Sequence, residues 1–264
     1  MDIGLGGMAM KNILKIMLMM ITIFTIAGSA VYAAEIPVSD QDQLITSNDW
    51  TEISNLQDEM KKEEPDATID YDKALKVYVD CNLIKLQTAD TKKLTSALES
   101  ANYVWVIPFK MEKTYGMFTV AKGLPLREEA KSVLTKAEQE EVKNHAGKWM
   151  ITEIAEHTVE PYYDILLEKR EALSDCTRVV LVGSQPGMRQ PVALGMDDET
   201  ARIWISLGYQ YPVMEKIPET QNVESGVYSF DSVAEISDTY IEDSEVSTGA
   251  VSYTHLRAHE TRHD

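Results

Sequence analysis

Glu153, Glu156, His157 and Glu160 lie close together in the chain, and on a helix Glu153 and His157 would share a face suited to a divalent cation. The strand pattern of Trp149 to Ala155 and the approach of Pro161 place them instead at a strand end and loop, where ligand geometry is hard to meet. Asp70-Tyr71-Asp72 and Asp197-Asp198-Glu199 supply the paired carboxylates that glycoside hydrolysis or calcium binding requires. Turn initiation and helix capping use the same residues, and neither run has the spaced ligands or central glycine of a calcium loop, so the structural reading is preferred. Gly183-Ser184-Gln185-Pro186-Gly187 has the outline of a nucleophile turn, but its serine stands second rather than third and a strand follows it. A hairpin connection fits better, and Arg189 beside it could bind an anion. Trp105, Trp149 and Trp204 fall within predicted strands, where they could line a sugar platform, although strand tryptophans are more often core. There is no phosphate-cradling glycine loop, dinucleotide fingerprint, His-Glu-x-x-His or Cys-x-x-Cys. No residue is assigned a catalytic, cofactor-binding or metal-ligating role on these grounds.

The ends of the chain set where such a protein works. Lys11 and Lys15 precede the apolar run Ile16 to Ala27, and Val31-Tyr32-Ala33 puts small residues at the positions a signal peptidase reads, which predicts a cleaved export leader over residues 1–33. Gly28-Ser29-Ala30 closes the apolar run before the ~20 residues a membrane span needs. At the other end, Val251 to Thr261 reads back into codons that resemble a transposase end and sequencing adapter. Residues 251–264, with the helically spaced trio His255, His259 and His263, are therefore expected to be a non-native scar, and the natural protein to continue past Ala250. Removing both ends takes away four basic and three acidic residues and leaves a net charge of −19. Such a surface repels nucleic acid and anionic membrane and leaves an extracellular protein or a cell-wall ligand as the expected partner. Cys81 and Cys176 could form one disulfide in an oxidising compartment, and burial of each as a free thiol is the competing reading.

The elements between these ends follow from periodicity. Over residues 34–66, Trp50, Ile53, Leu56 and Met60 recur at near-helical spacing before Pro65. Residues 67–216 read as a globular domain. In it, Ala74 to Leu86 predicts a strand, Leu94, Ala97, Leu98 and Ala101 a helix, and Tyr103–Phe109 with Met117–Lys122 a hairpin. Arg127 to His145 predicts a helix with Thr135 and Glu138 spaced as a capping box and Gly147 as its stop. Lys148 to Ala155 reads as a strand, Pro161 to Leu173 as an amphipathic helix, and residues 178–183, 191–196 and 201–207 as three closing strands. An offset of 75 carries Lys73 onto Lys148, Ala97-Leu98 onto Ala172-Leu173 and Tyr103 onto Arg178, which suggests a duplicated βαββ unit over 69–123 and 147–207. The predicted fold class is α+β, an antiparallel sheet with helices on one face. From 217 to 250 there are eight acidic residues and no lysine or arginine, the composition of a solvated acidic spacer.

Asp72-Lys73-Ala74 leading into Lys76-Val77-Tyr78-Val79-Asp80, together with Tyr103-Val104-Trp105, resembles exported proteins of uncharacterised activity from low-GC Gram-positive bacteria. The resemblance implies a secreted or cell-surface setting and no particular reaction. Three functions are carried forward: a non-catalytic extracellular binding module, a peptidase inhibitor suggested by duplicated helix-on-sheet architecture, and a hydrolase using two carboxylates from different strands.

Overall fold

The computed structural model describes residues 36–244 apart from 158, 159, 189 and 210. The predicted leader, the adapter-like terminus, residues 245–250 and Arg189 lie outside the described residues. The strands are β1 (Thr68–Ile69), β2 (Leu75–Val79), β3 (Asn102–Lys110), β4 (Tyr115–Lys122), β5 (Trp149–His157), β6 (Arg178–Val182), β7 (Val192–Met196), β8 (Ala201–Ser206), β9 (Asn222–Glu224) and β10 (Val227–Ser229). The helices are α1 (Gln57–Glu63), α2 (Thr91–Glu99), α3 (Lys136–His145), α4 (Tyr162–Glu168) and α5 (Phe230–Ser244). None of the described helices is long and apolar enough to cross a membrane.

Valine and leucine fill β6 continuously, and Val179 to Val182 are all buried, as befits a strand covered on both faces. It sits at the middle of one open mixed sheet of ten strands in the order β5-β4-β3-β2-β6-β7-β8-β10-β9, with β1 pairing the end of β3. Every strand pairing is antiparallel except that of β2 with β6, where Val77 lies opposite Leu181 and Tyr78 opposite Val182. The fold is α+β, as expected.

One face of the sheet presents Trp105, Ile107 and Phe118 to Ile53 and Met60 of the helical turn Trp50–Ile53 and α1. Further along, the same face carries Tyr78, Val180, Leu194 and Trp204 beneath Leu94 and Leu98 of α2 and Phe230 and Val233 of α5. Each of those side chains contributes roughly 1.5–3 kcal/mol by leaving water. Asp90 starts α2 by accepting a hydrogen bond from the Lys93 amide. α4 is the exception among the packed helices: Tyr162 and Leu166 cover the opposite face, with Ile36 and Val38, over Val77, Leu181, Ala193 and Ile205. Gly195 admits the segment after α4, since a Cβ there would lie 2.8 Å from Cys176 Sγ.

Several expectations are corrected. The strand expected over Ala74 to Leu86 ends at Val79, because Asp80 adopts φ 58° and the chain turns into the short 3-10 helix Ile84–Leu86. The helix expected from Arg127 begins only at Lys136, where the Thr135–Glu138 capping box closes as predicted. The two proposed units differ in pairing: β2 pairs β3 directly, whereas β5 lies at the sheet edge on β4, with three strands between it and β6. The acidic stretch is folded from 217 to 244. Ile217, Val227, Phe230 and Val233 are buried, and β9, β10 and α5 extend the sheet and cover it. Glu219, Glu224, Asp231 and Glu235 occupy exposed positions between those apolar anchors, so charge masked an amphipathic element. The possible disulfide does not form: Cys81 and Cys176 are free thiols that pack into separate cores on opposite faces of the sheet.

Candidate functional site

The Asp70-Tyr71-Asp72 run is carried on a 3-10 turn, Tyr71–Lys73, immediately after β1. Two non-local ties fix it. β1 places Thr68 opposite Lys110, and the Asp70 amide donates to Pro108 O at 2.9 Å. The Leu44 amide donates to Ala74 O, which brings the segment carrying Ile45 and Trp50 alongside. Between them opens a groove of about 510 Å³ lined by the apolar and aromatic residues Ile45, Ile69, Trp50 and Tyr71 and by the polar residues Asp70, Asp72, Thr68 and Lys110. Trp50 and Tyr71 meet at a corner, with ring centroids 5.2 Å apart and planes at 66°. The Tyr71 hydroxyl donates to Met60 Sδ at 3.7 Å, and partial burial raises its pKa.

The carboxylates of this run are not equivalent. Lys73 Nζ lies 2.8 Å from Asp164 and 3.6 Å from Asp70. The hydrogen bond to Asp164, with the charges of both acids, raises the lysine pKa against a desolvation penalty. Asp70 and Asp164 therefore come from distant segments to share one cation. A carboxylate pair already neutralised by lysine is poorly disposed to divide the acid and base roles of glycoside hydrolysis. Asp72 is exposed and, among the described residues, makes no side-chain hydrogen bond or ion pair.

A second polar constellation, unforeseen from the sequence, lies inside the fold where β2 meets β6. Asp42 is only 2% exposed. Its carboxylate accepts from Ser39 Oγ at 2.7 Å, from the Tyr78 hydroxyl at 2.7 Å and from Arg178 at 3.1 Å, and Lys76 Nζ stands 3.8 Å away. Lys76 also lies over the rings of Tyr103, Trp105 and Tyr78, 4.5–5.8 Å from their centroids. Burial lowers the Lys76 pKa, with Asp42 pulling the other way. Asp49 accepts from the Tyr103 hydroxyl at 2.9 Å and from Trp105 Nε1 at 3.0 Å. Burial pushes the Tyr78 and Tyr103 hydroxyls well above the usual tyrosine range, aided by Asp42 and Asp49 respectively. The main chain completes the tie, since the Lys76 amide donates to Asp42 O and the Val179 amide to Pro37 O. The N-terminal segment is thus bonded to both strands of the parallel pair. Asp42 is enclosed by the donors and cations that engage it, with Arg178 Nε left buried without a hydrogen-bond partner, and the arrangement is that of a clasp rather than a reaction centre.

The remaining sequence candidates are dispersed. Glu153 and His157 lie on β5, where four residues span about 13 Å, too far for one ion to be held as on a helical face. His145 ends α3 beside Gly123, whereas the backbone of His157 pairs with that of Tyr115 at the other end of β4, about 23 Å along the strand. Among the described residues no group of three or more His, Cys, Asp or Glu is placed to hold a metal ion. In the Gly183–Gly187 connection the distinctive residue is Gln185 rather than Ser184. Its buried amide donates to Cys81 O and Gly183 O and accepts from the Leu83 amide, which clips two loops together. Asp197 caps its own turn by accepting from the Glu199 and Thr200 amides, which lowers its pKa. Trp105 and Trp204 are fully buried and Trp149 nearly so, in two different cores, so they form no shared platform. The Cys81 and Cys176 thiols are pushed up to about 11 by burial, the reverse of an activated nucleophile. Trp50, which carries the groove, reads in the sequence only as one apolar position of a helix. Compared with known proteins, the chain matches no family model, no curated protein and no solved structure.

Proposed function

We propose that the protein is a non-catalytic binding module of a secreted or cell-surface setting, with the Trp50–Tyr71 groove as its ligand site and an extracellular protein or cell-wall component as its partner. The observation that supports this most is the aromatic corner itself. Two half-buried rings that pack along the edge of the adjoining core also line an open groove beside an unpaired carboxylate. Concave surfaces that combine aromatic contact area with a few polar groups are where ligands gain most from leaving water. The acidic balance of the chain agrees with a partner that is neither nucleic acid nor anionic membrane.

Titration with peptidoglycan fragments, neutral polysaccharide and short peptides of either charge, followed by tryptophan fluorescence and by chemical shifts, tests the reading. A genuine ligand should move the Trp50 and Tyr71 resonances, and Trp50→Ala should abolish the response while far-UV circular dichroism stays unchanged. Binding that leaves both rings unmoved, or turnover of a chromogenic glycoside that Asp72→Asn abolishes, would refute it.

A further inference from the structure

We infer that the groove takes a cationic side chain, the lysine or arginine of an extended peptide, with its charged end between Asp72 and the Trp50 ring. This inference rests on the groove being the ligand site and narrows the ligand to one chemistry. Three observations carry it. The rings meet at 66° and 5.2 Å, which makes a corner rather than a flat platform. A pyranose stacks by laying one broad face on one ring, whereas a compact cation gains from several ring faces turned towards it. Asp72 then supplies an exposed negative charge that nothing in the described fold neutralises, while its neighbour Asp70 is already engaged by Lys73. Finally, Ile45, 38% exposed, and half-buried Ile69 line the same groove, an apolar track of the kind on which lysine and arginine lay their methylene stems while the head stays at the polar end. The long-range field points the same way, since a chain of net charge −18 draws basic segments and repels acidic ones.

Lys110 also lines the groove, and its ammonium lies 5.7 Å from the Tyr115 ring centroid. It disfavours a second cation there, so the preferred peptide carries one basic residue at the corner and a neutral or acidic one beside it. A run of consecutive lysines fits less well.

The test uses three probes with the purified protein: a blocked hexapeptide with one central arginine, the same peptide with citrulline in place of arginine, and maltohexaose. The arginine peptide should bind about tenfold more tightly than the citrulline peptide, the loss expected when one charge-assisted hydrogen bond and one cation–π contact go together. Its affinity should fall in about 0.5 M salt. Asp72→Asn, at an exposed position that leaves the fold intact, should remove most of the discrimination. Equal affinity for arginine and citrulline peptides, or an unchanged ratio in Asp72→Asn, overturns the cationic assignment. Maltohexaose binding that Trp50→Ala abolishes also overturns it while leaving the groove as the ligand site. If no probe moves Trp50 or Tyr71, the groove reading falls as well.

Discussion

Replacing Asp42 by asparagine should cost more stability than any other single change of polar side chain in the protein. The carboxylate is 2% exposed, accepts from three side chains and stands between two cations, Lys76 and Arg178, whose side chains are themselves only 11% and 26% exposed. Asparagine keeps the shape, but it removes the charge and turns an NH2 group towards donors. Two partly buried cations then lose their counter-ion, and Lys76, already disfavoured as a cation by burial, loses the group that offsets that penalty. Breaking one partner out of a buried ionic cluster costs about 3–5 kcal/mol. For a domain of this size that corresponds to a fall in Tm of roughly 6–20 °C.

The assay is urea unfolding at pH 7 followed by circular dichroism, on the wild type, Asp42→Asn, Lys76→Met and the double variant. Lys76→Met should cost clearly less than Asp42→Asn, because it removes the buried cation together with its own desolvation penalty, keeps the stem and leaves Asp42 paired with Arg178. In the double variant, the uncharged side chain at position 76 should recover a good part of the Asp42→Asn loss, giving a coupling energy of about 1–3 kcal/mol. Lys76 also fixes a sign with pH. Its folded pKa lies below 10.5, so the folded state sheds that proton first, and stability gains from this group as pH rises through the window below 10.5. A loss below ~1 kcal/mol in Asp42→Asn, of the order of an exposed pair, would refute the argument that this cluster is an electrostatic clasp. So would Lys76→Met proving as costly as Asp42→Asn.

The other predictions are more local. Cys81 and Cys176 should react with a disulfide reagent far more slowly in the native protein than in urea, and mass spectrometry should find no link between them. Because their folded pKa values are raised from 9.0 to about 11, the stability they contribute is complete below pH 9 and lost as pH rises towards 11, which a pH series of unfolding curves would register. Gly116→Ala should destabilise by about 1–3 kcal/mol through overpacking. A Cβ there would fall 2.1 Å from Phe109 Cζ, in the pair of rings that Phe109 forms with Phe118 at 4.7 Å. A Tm indistinguishable from that of the wild type would show that the ring moves aside freely.

Much of the fold is legible where the governing signals are local. The Tyr103–Phe109 and Met117–Lys122 hairpin, the Thr135–Glu138 capping box and the Gly147 stop all stand where spacing and turn chemistry put them. What the sequence hides depends on partners far off along the chain. The strand expected over Ala74 to Leu86 is cut at Asp80 by a positive φ that neighbouring residues do not announce. Residues 217–244 read as a solvated spacer because their few apolar anchors, such as Phe230 and Val233, are separated by acids. Only the faces of Trp204 and Leu194 show that those anchors have somewhere to go. Asp70-Tyr71-Asp72 stands out for its carboxylates, yet the groove it helps to form needs Trp50 and Lys110, which β1 and the Leu44–Ala74 hydrogen bond deliver. Asp42, the hub of the clasp, sits in a polar stretch with nothing in its neighbours to mark it for burial.

The single parallel pairing has a kinetic consequence. Val77 and Leu181 are separated by about a hundred residues, so joining β2 to β6 closes by far the longest loop in the sheet, and loop closure must be met before the contact gives anything back. The antiparallel pairs on either side close over much shorter connections and can assemble early, each as an incomplete half with one edge that the finished sheet covers. Until those edges meet, the molecule presents two strand flanks open to pairing with another chain, and that interval is when newly made protein is most exposed to aggregation.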